Sequence, residues 1–171
     1  MKITAVKLYT MHIPLITPFK TALRTVDAID DLIVVLETDD GQRGFGEAPP
    51  TAVITGDTLG SIACAVKDFI RPALVGMDVE DLDAVMAKLQ GCMVKNTSAK
   101  AAVDMALWDL YGQLYNIPVY KLLGGGRKQI VTDITISVND PDTMVSDSLK
   151  AVARGYDCLK MKVGVNPELD V

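Results

Sequence analysis

The sequence predicts an α+β region followed by the opening of a parallel β/α arrangement, and three observations carry that prediction. Residues 2–13 and 29–38 are rich in β-branched residues, and Asp39-Asp40-Gly41 separates the second run from Gly44-Phe-Gly-Glu-Ala48, a hairpin signal. Apolar residues then recur at helical spacing in three successive stretches. Last, residues 129–163 read strand, helix, strand, a βαβ unit whose strands are parallel and whose crossover is right-handed.

Taken in order, the first two strand runs and the hairpin predict a small antiparallel sheet. Leu15 to Arg24, between those runs, and Pro49 to Gly56, after the hairpin, carry turn residues without clean periodicity and read as candidate mobile loops. Leu59, Ile62, Ala63, Val66, Phe69 and Ile70 make the face of a first helix, capped by Asp57 or Thr58 and closed before Pro72. Val79, Leu82, Val85, Met86 and Leu89 make a second behind Asp78. The third is the longest, with Ala99, Ala102, Val103, Ala106, Leu107, Leu110 and Leu114 on one stripe and Asn96, Thr97 or Ser98 as the cap. Pro118 to Gly126 breaks the pattern and reads as a junction. Beyond it, Gln129 to Val138 is strand-like, and Asp140-Pro141 is an N-cap followed by proline at the first helical position. Val145, Leu149 and Val152 form a helical stripe that Gly155 ends, and a last strand contains Lys160 and Lys162.

The 171 residues are 49% hydrophobic and 23% charged, the composition of a folded globular chain. A net charge of −5 leaves no basic footprint for nucleic acid or an anionic membrane, which favours a small-molecule role. No apolar stretch approaches the roughly 20 residues needed to span a bilayer, and the first residues begin a strand pattern, so the protein reads as cytoplasmic. Cys64, Cys92 and Cys158 lack metal or disulfide spacing, and each reads as a small buried hydrophobe.

Candidate chemistry concentrates on Lys160 and Lys162. Residues i and i+2 of a strand share a side, and two ammonium groups held together disfavour each other's charge, easing one toward the neutral amine that a general base must be. Alone, Lys-x-Lys suits a solvated edge. Its place in the second strand of a βαβ unit, between Leu159, Met161 and Val163, sets an apolar face against a lysine face that could line a barrel mouth. The other features are read as structural. Gly44-x-Gly46 is a hairpin strand, since Pro49 stands where a dinucleotide fingerprint needs glycine, and Gly124-Gly-Gly126 is a link. Asp104 could pair with Lys100 four residues earlier, Asp109 and Trp108 serve packing, and His12 is a satisfied strand histidine.

The run Ala99-Lys-Ala-Ala-Val-Asp-Met-Ala-Leu-Trp-Asp-Leu-Tyr-Gly-Gln113, then Pro118-Val-Tyr-Lys-Leu-Leu-Gly124, the hairpin Gly44-Phe-Gly-Glu-Ala-Pro49 and Lys160-Met-Lys162 together resemble the enolase superfamily, specifically its muconate-lactonizing subgroup. The resemblance covers the whole chain. It implies an α+β capping domain over residues 1–124 and, over 125–171, the first strands and helix of a (β/α)7β TIM-like barrel, so that the chain is expected to be the N-terminal half of a longer enzyme. The loop Thr17-Pro-Phe-Lys-Thr-Ala-Leu-Arg24 is most similar to that of dipeptide epimerases of the L-Ala-D/L-Glu type.

For such an enzyme the resemblance implies that Lys162 removes the proton α to a carboxylate. Lys160 assists it and holds the substrate carboxylate, Thr135 touches the substrate, and Arg24 meets an acidic side chain. It implies Mg2+ as cofactor, with carboxylate ligands and a second acid/base expected beyond Val171, and a homo-oligomer acting on a dipeptide. The same lysine pair also serves muconate cycloisomerase, o-succinylbenzoate synthase and N-acylamino acid racemase reactions. From a different class, a non-catalytic fragment or split-protein interaction module stays open, and the isolated chain is expected to be inactive.

Overall fold

The computed structural model describes residues 1–126, 129–168 and 170. By their contacts they fall into two units, Met1–His12 with Asp30–Gly126, and Ile13–Ile29 with Arg127–Val171. Two long strands, β1 (Ile3–Lys20) and β2 (Thr25–Thr38), run through both.

In the first unit, β1, β2 and β3 (Arg43–Ala48) form a sheet in that order. β2 and β3 are antiparallel, from Leu32 opposite Ala48 to Glu37 opposite Arg43. The connecting turn is closed by Gly41 at φ +84°, a conformation glycine adopts without strain. Leu32, Val34 and Leu36 alternate into the core, as period-2 strand geometry requires.

Against the sheet lie α1 (Leu59–Cys64), α2 (Arg71–Leu74), α3 (Leu82–Gly91) and α4 (Thr97–Tyr115), and the single turn α5 (Val119–Leu122) follows and contacts α4. α4 packs directly on β3. Its Ala99, Ala102, Val103, Ala106, Leu107 and Leu110 are all buried, the stripe its spacing predicts. Burying a leucine such as Leu107 contributes about 1.5–3 kcal/mol. The helix approaches so closely that a Cβ at Gly46 would overlap the Ala102 carbonyl oxygen, and one at Gly44 that of Ala106. The two glycines of the hairpin strand are thus a packing device, which confirms their structural reading and supplies its reason.

Several sequence expectations change. The first helix does not close before Pro72: Thr58 and Ser61 cap α1 reciprocally, and a π-helical turn, Ala65–Ile70, carries the chain on into α2. A regular α-helix would drive the proline ring into the carbonyl four residues back, and the wider turn relieves that clash. The cap of α3 is Asp81, whose carboxylate accepts from the Ala84 amide; Asp78 instead pairs with the N-terminal ammonium at 3.2 Å. Lys100 does not pair with Asp104. It is buried, and its Nζ donates to the Gln90 and Met93 carbonyls at 2.7 and 2.6 Å, satisfying acceptors at the end of α3. Asp104 is left with its carboxyl pushed above the usual range by burial. Asp109 is structural as read, accepting from the Phe45 amide at 3.0 Å.

His12 is exposed and its Nδ1 lies 2.7 Å from Asp30 Oδ1. Trp108 packs edge-to-face with Tyr111. The cysteines are not uniformly buried: Cys64 and Cys158 are exposed and Cys92 is half-buried, because each sits where an element ends or turns outward. Cys64 Sγ donates to Asp68 Oδ2, which raises the thiol's pKa.

In the second unit, β4 (Ile134–Ile136) and β5 (Leu159–Met161) pair in parallel and are joined through α6 (Pro141–Ala153), the βαβ unit read from the sequence. Asp140 caps α6 by accepting from the Thr143 amide, Pro141 opens it, and Gly155 at φ +93° ends it. β4 is shorter than the expected strand over 129–138, since its ladder with β5 extends over three residue pairs. Leu15 to Arg24 is also not a loop throughout. β1 continues to Lys20, and only residues 21–24 turn. Pro14 and Pro18 lie on β1, an edge strand, whose open side has no ladder partner to lose. Among the described residues, no helix is long and apolar enough to cross a membrane.

Candidate active site

Lys160 lies on β5 directly opposite Thr135 of β4. Cross-strand partners share a sheet face, and so do residues two apart along a strand. Thr135 and Ser137 therefore stand beside Lys160 and Lys162. The other face carries Ile134 and Ile136 beside Leu159 and Met161. Lys162 is anchored just past the strand by its amide, which donates to the Ile136 carbonyl at 3.1 Å. Lys162 and Thr135 are half-buried and Lys160 is exposed, so the pair spans a gradient from solvent inward.

The turn bearing Arg24 reaches the same strand ends. Thr21 closes it, its Oγ1 accepting from the Leu23 and Arg24 amides at 3.2 Å each and its amide donating to the Arg24 carbonyl at 2.9 Å. Just before the turn, the Lys20 amide donates to Ser137 Oγ at 3.2 Å, the Lys20 carbonyl accepts from the Val138 amide at 3.3 Å, and Lys20 Nζ donates to Asn139 Oδ1 at 3.0 Å. On the other side, a Cβ at Gly164 would meet Ala22 Cβ at 3.7 Å. The turn thus lies between the segments that leave β4 and β5. Arg24 is half-buried, and among the described residues its guanidinium makes no ion pair with a carboxylate.

All four residues singled out from the sequence, Arg24, Thr135, Lys160 and Lys162, therefore belong to the second unit. Lys20, Ser137 and Asn139 were not singled out, and their bonds span 117 to 119 positions, beyond any local pattern.

Two hollows flank the strands. One of about 390 Å3 is bounded by Thr17, Phe19, Thr135, Ser137 and Asn139 together with Asp147, Lys150 and Arg154 of α6. The other, about 380 Å3, is lined by Met144, Val145, Met161, Val163 and Val165, on the apolar side of β5 away from the lysines. Its lining is mainly apolar, with Asn139, Asn166 and Asp170 as the polar groups at its rim. Among the described residues, no three His, Cys, Asp or Glu side chains converge to hold a metal ion, so the described residues do not themselves fit a magnesium site.

Residues 3–124 match the family model of the mandelate racemase / muconate lactonizing enzyme N-terminal domain. Over 161 residues the chain is 54% identical to the L-Ala-D/L-Glu epimerase of Clostridium acetobutylicum, covering 94% of this chain and 45% of that protein. The substrate-liganded complex of the L-Ala-D/L-Glu epimerase from Bacillus subtilis superposes with a TM-score of 0.94 at 42% identity, over 99% of this chain and 47% of that one. A dipeptide epimerase from Enterococcus faecalis, solved with Mg and the dipeptide L-Leu-L-Tyr, superposes with a TM-score of 0.92 at 35% identity, over 99% and 48%. The chain spans about half the length of the curated relatives it matches.

Proposed function

The chain belongs to the mandelate racemase / muconate lactonizing enzyme family, within the enolase superfamily, and from that premise we propose that the active protein containing it epimerises dipeptides of the L-Ala-D/L-Glu type. The observation that carries this reading is the shared face of Thr135, Lys160 and Lys162, with the Arg24 turn fixed at the ends of the same two strands. In this reading residues 1–124 form the capping domain and 125–171 open the barrel.

The chain's own side chains divide the work. Lys162, as the free amine, takes the proton from the carbon next to the substrate carboxylate; the C–H bonding pair moves into the carboxylate to give an enediolate, and Lys162 becomes an ammonium. Lys160, kept as an ammonium, lies beside the oxygens on which negative charge accumulates, where a fixed cation stabilises the transition state more than the ground state. Thr135 offers a hydroxyl to orient the same carboxylate. Returning the proton to the opposite face requires a second acid/base, which belongs to none of these four residues. Magnesium enters as the metal of the solved relatives and as the proposed cofactor of the active protein. Its ligands would come from outside the described residues, and no step here is routed through it.

Arg24 sets the substrate class. Among the described residues the Arg24 guanidinium has no carboxylate partner, which suits it to the acidic side chain of the second residue, through bidentate charge-assisted hydrogen bonds. Losing such a bond costs roughly 1.5–3 kcal/mol. Arg24→Ala is therefore expected to raise KM for a dipeptide ending in glutamate and to leave a neutral dipeptide less affected, measured by epimerisation of both under steady-state conditions. Equal losses for the two substrates would contradict the acidic-dipeptide assignment.

A further inference from the structure

We infer that Lys20, Ser137 and Asn139 form a latch that positions the Arg24 turn, making Lys20 and Asn139 positioning residues for substrate selectivity; this rests on the reading of Arg24 given above. The turn sits at the tip of a two-stranded ribbon, a structure only marginally stable by itself. The ribbon is tied down at one residue. Both backbone groups of Lys20 are engaged, its N–H with Ser137 Oγ and its C=O with the Val138 N–H, while its Nζ reaches Asn139 Oδ1. Lys20, Ser137 and Asn139 are all half-buried, so these bonds are shielded from water on one side. One residue beyond the closing Thr21, Ala22 rests beside Gly164.

The tip is therefore held by the segment after β4, with Ala22 lying near Gly164 of the segment after β5, and Arg24 follows four residues after the anchor. Selectivity by a guanidinium depends on holding it within about 0.5 Å of its productive place, and a displacement near 1 Å can cost on the order of a hundred-fold. Nothing else among the described residues pins the arginine side chain itself, since it makes no ion pair. The lysine takes a role distinct from Lys160 and Lys162: its ammonium is spent on a side-chain carbonyl rather than on a carboxylate.

The test uses the active protein containing this chain, with Asn139→Leu to remove the acceptor, Asn139→Asp to keep it, and each combined with Arg24→Ala. Without substrate, amide hydrogen exchange at Leu23 and Arg24 is expected to accelerate about ten-fold or more in Asn139→Leu and to stay near wild type in Asn139→Asp. With substrate, Asn139→Leu is expected to raise KM for the glutamate dipeptide about ten-fold at nearly unchanged kcat, to move a neutral dipeptide less than about two-fold, and to add nothing further in the Arg24→Ala background. Unchanged exchange at the turn overturns the latch, whatever happens to activity. Faster exchange with equal KM changes for both substrates, or with effects that add to those of Arg24→Ala, overturns the positioning role. If instead Arg24→Ala alone leaves selectivity untouched, the acidic-dipeptide reading fails, and the selectivity role of the latch falls with it while the exchange result still reports on the latch itself.

Discussion

Two helices with similar apolar stripes meet different fates. On α4, in the first unit, Leu107 and Leu110 are fully buried against β3 and the neighbouring helices. On α6, in the second, Val145, Leu149 and Val152 are 59%, 66% and 55% exposed, and only Ala151 is buried. The periodicity that forms a helix is the same in both, but stability comes from covering the stripe, not from having it. The first unit has a closed core between a sheet and the helices packed on it, whereas the second has a two-stranded parallel sheet, a type normally covered on both faces. The candidate chemistry sits on the second.

Mutations separate the two regions most sharply where packing is tightest. Gly46→Ala places a methyl group into the Ala102 backbone carbonyl, which cannot move without shifting α4, and is expected to cost roughly 3 kcal/mol or more in denaturant unfolding of the 171-residue chain. Leu107→Ala should cost about 2–5 kcal/mol. By contrast Leu149→Ala on the exposed stripe should stay within about 0.5 kcal/mol. A Leu149 effect as large as that of Leu107 would show that the α6 stripe is covered in solution.

A smaller effect is expected at Lys100, where two carbonyls lose their charged donor. Lys100→Met should destabilise the first unit by about 2 kcal/mol and accelerate amide exchange at the end of α3 more than in α6. Unchanged exchange in α3 would mean that water replaces the ammonium without loss.

The smallest expected effect is a pH dependence at Asp31. This residue is buried on β2, one carboxylate oxygen has no hydrogen-bond partner among the described residues, and burial, then the neighbouring Asp30, pushes its carboxyl above the usual range. A carboxyl whose folded pKa is raised binds its proton more tightly when folded, so it favours the folded state as pH falls through that raised pKa and opposes it above. Asp31→Asn should therefore raise Tm at neutral pH and lose that advantage below the ordinary aspartate range. A constant Tm difference across the titration would assign the effect to something other than charge.

The same contrast explains what could be read from the residues alone. α4 was legible because its contacts repeat at 3.6 residues, and the start and end of α6 because Asp140, Pro141 and Gly155 are local signals. Lys160 and Lys162 were read onto one face for a similar reason, since strand periodicity assigns the face, although β5 itself ends at Met161; Thr135, opposite Lys160, was marked by the family resemblance. Most of what was missed depends on partners outside the residue's own element. Residues 15–20 are extended because β2 pairs with them, Lys100 turns to the end of α3 rather than to its own helix face, and Pro72 is carried by a π-helical turn that no propensity marks. The Lys20 to Asn139 bond joins the last residue of β1 to the residue before the α6 cap, two features that each look complete alone.

The central claim is that Lys162 is the base acting on the carbon next to the substrate carboxylate. It is tested most directly by incubating the active protein with L-Ala-L-Glu and, separately, L-Ala-D-Glu in deuterium oxide, and following deuterium at the glutamate α-carbon by NMR. Wild type should exchange both. Lys162→Ala should abolish exchange from one epimer by at least about a hundred-fold while leaving the unfolding transition in place, since general-base groups typically contribute 100- to 10,000-fold. Near-normal exchange of both epimers in Lys162→Ala would contradict the assignment.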